Sequence, residues 1–259
     1  MMMLNSLKRA AALGLIAFVA CSLSLSAQTL DEVLAKINDA KGGVAKIKSV
    51  NTIIRSGKAI MGGGQMKMDF SSLEQRPNKT RQDITIQGVK ATPAAFDGKV
   101  AWRVMPMMGV KDPQQMSKEE TEEMAEQADI DGETVDYQAK GLKLELLGKE
   151  DVEGSPAYKI KITRKNGNTA TDFYDAESYL LVKRTSKTKN PQTGGELESE
   201  TLFSDYRKVE GVTMSFQQES RFGGKTQMQI VTDKVELNKP LDDKMFMMPA
   251  AAPAADAKK

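Results

Sequence analysis

Histidine is absent from the 259 residues, and the one cysteine, Cys21, lies near the N-terminus. Residues 28–259 therefore cannot form a disulfide, a zinc site built on Cys or His, a nucleophile with a histidine base, or a His-ligated haem. Chemistry in this body would have to rest on carboxylate, Lys, Tyr or Ser. A charge excess is missing too. The chain has 37 basic and 35 acidic side chains, and removal of residues 1–27, which hold Lys8 and Arg9 and no acidic group, leaves 35 of each. That balance argues against a nucleic-acid partner, or an anionic membrane surface, held by bulk charge. The longest apolar run, residues 10–20, is 11 residues, too short for a helix to span a hydrocarbon core of about 30 Å, so the mature chain is not an integral membrane protein. No G-x-S-x-G occurs, and the glycine clusters lie between strand patterns rather than between a strand and a helix, as a phosphate loop needs. Asp129, Asp131, Glu133 and Asp136 fail the EF-hand spacing, and no carboxylate pair stands out for glycoside hydrolysis. The expectation is of no catalytic residues, no metal and no cofactor.

What is present begins with an export signal. Lys8-Arg9, the apolar run and the small, polar residues 21–27 have the three-part layout of a secretory leader. Two cleavage sites compete. Ala27 before Gln28 fits ordinary cleavage and a periplasmic protein. Phe18-Val19-Ala20-Cys21 approaches a lipobox, with Phe18 where Leu, Val or Ile is usual, and would leave a lipoprotein anchored through Cys21. The expected organisation is a signal peptide over residues 1–27, one domain over 28–248 and a disordered, Ala- and Pro-rich tail over 249–259.

Within the domain, Thr29-Leu30-Asp31-Glu32 is a capping box opening a helix whose stripe is Leu30, Val33, Leu34, Ile37 and Ala40. Gly42-Gly43 interrupts it. From Asn51 the period becomes 2, and seven glycine-bearing turns imply a large antiparallel meander: Gly62-Gly63-Gly64, Asp97-Gly98, Glu153-Gly154, Asn166-Gly167, Gly194-Gly195, Glu210-Gly211 and Gly223-Gly224. Apolar parities such as Met66/Met68/Phe70, Leu142/Leu144/Leu146, Tyr158/Ile160/Ile162 and Val212/Met214/Phe216 alternate with charged residues, so one face is dry and the sheet must curl or be covered. A second capping box, Ser117-Lys118-Glu119-Glu120, opens a short acidic helix with Met124, Ala125 and Ala128 on its apolar side. Residues 105–110 read as a loop, and residues 105–128 together as a lid.

Methionine is the informative excess, at 16 residues, in clusters at 61–68, 105–108 and 245–248. Either it fills the core or part of it lines a cavity for flexible hydrocarbon, around which thioethers re-pack. Trp102 is a core ring or stands at the mouth of such a cavity.

Arg76-Pro77-Asn78-Lys79-Thr80-Arg81 followed by Phe96-Asp97-Gly98-Lys99-Val100-Ala101-Trp102 resembles a signature of the LolA-like periplasmic carriers, the outer-membrane lipoprotein-sorting superfamily. Further matches follow in order at residues 148–154, 174–184, 204–207 and 235–238. Thr80 departs from the family's aromatic residue, and the insert at 105–136 is long for the short carrier of lipoproteins. The resemblance implies a mainly β, α+β fold: a curled antiparallel half-barrel covered by an N-terminal helix and a short lid helix, enclosing an apolar cavity for acyl chains of lipoproteins or other lipids. Arg76, Arg81 and Trp102 map onto its pattern. With Met66, Met68, Phe70, Met105, Met108, Leu144, Ile160 and Met214 they form the candidate cavity and mouth. The expected function is binding and transfer of acyl chains in the bacterial envelope without bond chemistry, with an envelope protein as donor or acceptor. A periplasmic sensor or protein-interaction module on the same fold is the alternative.

Overall fold

The computed structural model describes residues 28–189 and 196–250. Cys21, the leader, the Gly194-Gly195 turn and all of the tail beyond Ala250 lie outside the described residues. The chain enters through α1 (Leu30–Ala40) and the short α2 (Val44–Lys48). Both hydrogen bonds of the first capping box are made, Glu32 N donating to Thr29 Oγ1 and Thr29 N to the Glu32 carboxylate. Strands follow: β1 (Thr52–Met61), β2 (Met66–Gln75), β3 (Lys79–Ile86), β4 (Val89–Phe96), β5 (Ala101–Met105) and β6 (Val110–Gln115). Then come α3 (Lys118–Gln127), β7 (Lys143–Val152), β8 (Ser155–Thr163), β9 (Thr169–Asp175), β10 (Leu181–Lys189), β11 (Glu196–Val209), β12 (Val212–Phe222) and β13 (Lys225–Leu237).

All 13 strands make one antiparallel sheet in the order β6-β5-β4-β3-β2-β1-β13-β12-β11-β10-β9-β8-β7. Two hairpin meanders, β1 to β6 and β7 to β13, are joined at a seam where β1 pairs with β13, from Ile53 opposite Leu237 to Met61 opposite Met228. The edges β6 and β7 do not pair, so the sheet is a half-barrel, and residues 116–142, including α3, run from one edge to the other. The register shifts by a bulge at Ser56/Gly57. Glycine is required there, since a Cβ on Gly57 would stand 2.0 Å from the Val231 carbonyl oxygen. No helix among the described residues is long and apolar enough to cross a membrane.

The helices lie on the inner face. Val33, Leu34 and Ile37 of α1 pack on Leu144, Tyr158, Ile160, Ile162 and Tyr174. Full burial of an Ile is worth about 1.5–3 kcal/mol, so Ile160 and Ile162 make this a principal core. Met124 and Ala128 pack α3 on Phe96 and Ala101, and Ser117 caps that helix by the box read from the sequence. The outer face is not wholly wet. Val152, Ala157 and Phe173 are buried there, and the Lys159 and Lys183 ammoniums stand over the Phe173 ring at 5.5 and 4.9 Å. At the other wing the C-terminal segment lies on the outer face, where Trp102 Nε1 donates to the Phe246 carbonyl at 2.7 Å and Phe246 itself is fully buried.

One local expectation is corrected. Residues 105–110 are not an open loop: Met105 ends β5, Pro106–Met108 form a single 3-10 turn, and Val110 begins β6. Gly109 supplies the left-handed φ of 83° that brings the chain back, and Pro113 is tolerated because β6 is an edge strand. Phe246→Ala should lower stability by about 3–5 kcal/mol, the range for emptying a buried aromatic site. Urea unfolding measures it, and a loss below about 1 kcal/mol would place the segment outside the core.

Candidate functional site

A cavity of about 380 Å³ lies on the inner face, beneath the seam and the first strands beside it. Such a volume falls in the range of about 300–1,000 Å³ typical of small-molecule sites. Its apolar wall is Ile47 and Val50 from the α2 end, Ile53 from β1, Phe203 from β11, Met214 from β12 and Ile130 from the crossing segment. The helical corner is fixed tightly. Gly42 has φ 117°, and a Cβ there would meet the Gly211 carbonyl oxygen at 2.3 Å, so only glycine lets α1 and α2 dock on the β11–β12 turn. The cover is the stretch 129–134 rather than α3, none of whose residues lines the cavity.

That cover is held by ions. Arg76 donates from Nε to the Val50 carbonyl at 2.6 Å and from Nη2 to the Ile47 carbonyl at 3.2 Å, and grips Asp131 with two bonds of 3.0 and 2.5 Å. One guanidinium thus ties the α2 end and the crossing segment to the β2–β3 turn. On the far side, Arg184 donates to both oxygens of Asp172 at 2.6 and 2.7 Å and also bonds Glu133. Arg164 donates twice to Glu133, at 2.9 and 2.6 Å. Asp172 is fully buried and accepts from the Tyr174 hydroxyl at 3.0 Å. Burial first, then the Asp172 charge, raises the Tyr174 phenol well above its usual value. A second, polar cavity of about 470 Å³ lies beyond this network, lined by Glu126, Arg164, Ser186 and Thr201 among others. Glu133 and Arg184 border both spaces, so the ion network is the wall between them.

Of the residues singled out from the sequence, Met214 lines the apolar cavity. Leu144 and Ile160 are buried in the neighbouring core under α1. The β1–β2 register sets Gly57 opposite Phe70, Ala59 opposite Met68 and Met61 opposite Met66, which puts these three on the same face as Ile53. Met68 is buried and Phe70 half-buried, whereas Met66, at the hairpin end, is 47% exposed. Met105 is half-buried, and Met108, on the β5–β6 turn, is 74% exposed because a two-sided turn has nothing to pack it against. Arg81 and Trp102 belong to the opposite, outer face. Arg81 lies opposite Ala95, and Ala95 opposite Trp102, with the Arg81 guanidinium 5.5 Å from the Trp102 ring and bonded to Asp83 and the Met245 carbonyl. They fasten the C-terminal segment.

Sequence reasoning passed over Lys41, Ile53, Arg55, Arg184 and Phe203, all of which line the cavity. Arg55 had a direct signal and Arg184 one through its partner. Arg55 shares the parity of Ile53 and Ala59, and Asp172, which pairs with Arg184, that of Ala170 and Tyr174, so a charge on a dry parity marked a half-buried or buried ion pair in each case.

Neither a family model nor a curated relative matches the chain by sequence. Solved structures do match by shape. A candidate outer membrane lipoprotein-sorting domain from Vibrio parahaemolyticus superposes with a TM-score of 0.56 at 11% identity, covering 83% of this chain and 94% of that one. A LolA superfamily protein from Nitrosomonas europaea gives 0.56 at 13%, over 85% and 98%. A DUF1329 family protein from Desulfovibrio piger gives 0.56 at 14%, over 83% and 97%. The fold is therefore that of the LolA-like half-barrels, as the signature residues implied.

Arg76 holds the Asp131 carboxyl below its usual range, chiefly through their hydrogen bonds. The folded pKa is thus lower than the unfolded value of about 3.9, and the associated stability is complete above that pH and lost as pH falls through the folded value. Asp131→Asn should cost about 1–3 kcal/mol at neutral pH. The gap between wild type and variant should narrow below about pH 4. Denaturant unfolding at pH 7 and pH 3 compares them; an equal gap at both would show that the carboxylate charge is not what holds the cover.

Proposed function

We propose that this chain is an exported, non-enzymatic binder and carrier of acyl chains in the bacterial envelope, working by burial and release. The observation that carries the reading is the apolar cavity under the seam, closed by the α2 end and an ion-clamped cover. Burial of a methylene contributes about 0.8 kcal/mol, so some ten of them would give roughly 8 kcal/mol, enough for micromolar capture. The carboxylates around the cavity are each bound to a cation, which suits structure better than acid–base work, and no histidine is available to assist them. Residues 28–248 form the working domain, and Met214, with Ile53 and Phe203, is the contact for the chain. Release would follow from movement of residues 116–142, which join the two unpaired sheet edges.

A protein-interaction module is the second reading. Neighbouring hairpins at one end of the sheet expose Met61 and Met66, Val89, Met107 and Met108, and Phe222, a set of apolar tips that a protein donor or acceptor could cover. Native mass spectrometry of protein taken from its own envelope separates the two. The carrier reading expects a co-purifying acylated molecule, lost in Met214→Trp, whose larger ring fills the cavity, with thermal unfolding little changed. Protein that is lipid-free and stays empty when offered lipids and lipopeptides, yet retains a protein partner, would favour the module.

A further inference from the structure

Lys41 ends α1, and its backbone is tied on both sides. The amide donates back to the Ile37 carbonyl, and the carbonyl accepts from Thr213 N at 3.0 Å. Its side chain lines the apolar cavity and crosses toward the cover, where the position of a Cβ on Gly132 is 3.5 Å from Nζ. Among the described residues no hydrogen bond or ion pair reaches this ammonium.

The lack of a partner is not for want of carboxylates. Asp129 is bound by Lys140, Asp131 by Arg76, Asp172 by Arg184, Glu133 by both Arg164 and Arg184, and Glu74 by Arg55. Each acid near the cavity is already committed, and Lys41 is the cation left over. A second donor is also unspent. Arg55 Nε, in the same lining, is buried without a hydrogen-bond partner. Lys41 is half-buried, and its loss of water, followed by the nearby charge of Lys140, lowers its pKa against the opposite pull of Asp172, Asp131 and Asp129, the direction expected of an ammonium that has lost more hydration than it has gained from anions. Charge in an apolar enclosure is costly until it is paired, so such a site gains most from a ligand that brings the missing negative charge.

We propose that the cavity takes a single-chain anionic amphiphile, its hydrocarbon on Val50, Ile53, Phe203 and Met214 and its carboxylate or phosphate at the Lys41 ammonium. This rests on the carrier reading and narrows it from acyl chains in general to acyl chains with an acidic end. The hydrocarbon supplies affinity and Lys41 supplies selection. A neutral amphiphile of the same length would fill the same wall and leave the ammonium unpaired.

The test is calorimetric titration of the mature chain with dodecanoate, dodecyl phosphate and dodecanol, for wild type, Lys41→Met and Lys41→Arg, with circular dichroism to confirm that each variant is folded. Wild type should bind the anions about tenfold or more tightly than the alcohol, the scale of a hydrogen bond to a charged group. Lys41→Met should bind all three as wild type binds the alcohol, and Lys41→Arg should keep the preference. The tighter of the two anions identifies the head group. Equal binding of all three by wild type overturns the anion site and leaves the carrier reading standing. A preference that survives in Lys41→Met overturns the role of Lys41. Binding of none overturns both.

Discussion

A carboxylate with no solvent exposure, Asp172, sets the terms for the inner face. An isolated buried charge would cost several kcal/mol, and it is tolerated here because Arg184 supplies two hydrogen bonds and Tyr174 a third. Arg184 has a donor to spare, which it gives to Glu133, and Glu133 in turn takes Arg164. The chain of charges runs from β9 and β10 into the crossing segment and back to the end of β8. Removing one member would leave another unpaired in a dry place, so electrostatics adds to the apolar contacts of Met124, Ala128 and Ile130 in fixing the segment that crosses between the sheet edges.

The cavity follows from a shortage of covering volume. Thirteen strands present a broad inner face, and the helices that could cover it are short. α1 serves β7 to β9, and α3 serves β4 and β5. Between them, at the seam and β11 to β12, the cover is the one-turn end of α2 and a loop, which bring Ile47, Val50 and Ile130 but otherwise mostly backbone and ions. A space lined by Ile53, Phe203 and Met214 remains, roofed by Ile130 and by Asp129 and Glu133 in their ion pairs. A space of this origin is permissive in shape, and its most specific features are the charges that border it.

Both capping boxes and the strand alternation could be read directly from the residues, and the half-barrel followed from them together with the signature around Arg76 and Trp102. The wall of the cavity was less legible. Alternation separates two faces but does not say which is inner when both are covered, and in β5 Ala101 and Trp102 are each buried, one under α3 and the other under the C-terminal segment. Trp102 and Arg81 were candidates through the resemblance, and alternation gave no means of seeing that they lie on the opposite, outer side. Methionine clustering misled in a different way, because Met66 and Met108 sit at hairpin ends where an alternating pattern carries no information on burial. The pairing of β1 with β13 has no local signal at all, since the partners come from opposite ends of the domain.

That pairing also governs the order of events in time. Each meander can assemble from neighbouring hairpins, but β1 keeps one row of amides and carbonyls unmet until β13 has been synthesised and delivered to it. Contacts of such long sequence separation form slowly, since the whole intervening chain must be closed into a loop first. Until the last strand arrives, the nascent polypeptide lacks its central join and stays threadable, and an open strand in the middle of the future sheet is a hazard for pairing with other chains. Of the described strands, the last to leave the ribosome is the one that joins the two halves of the sheet.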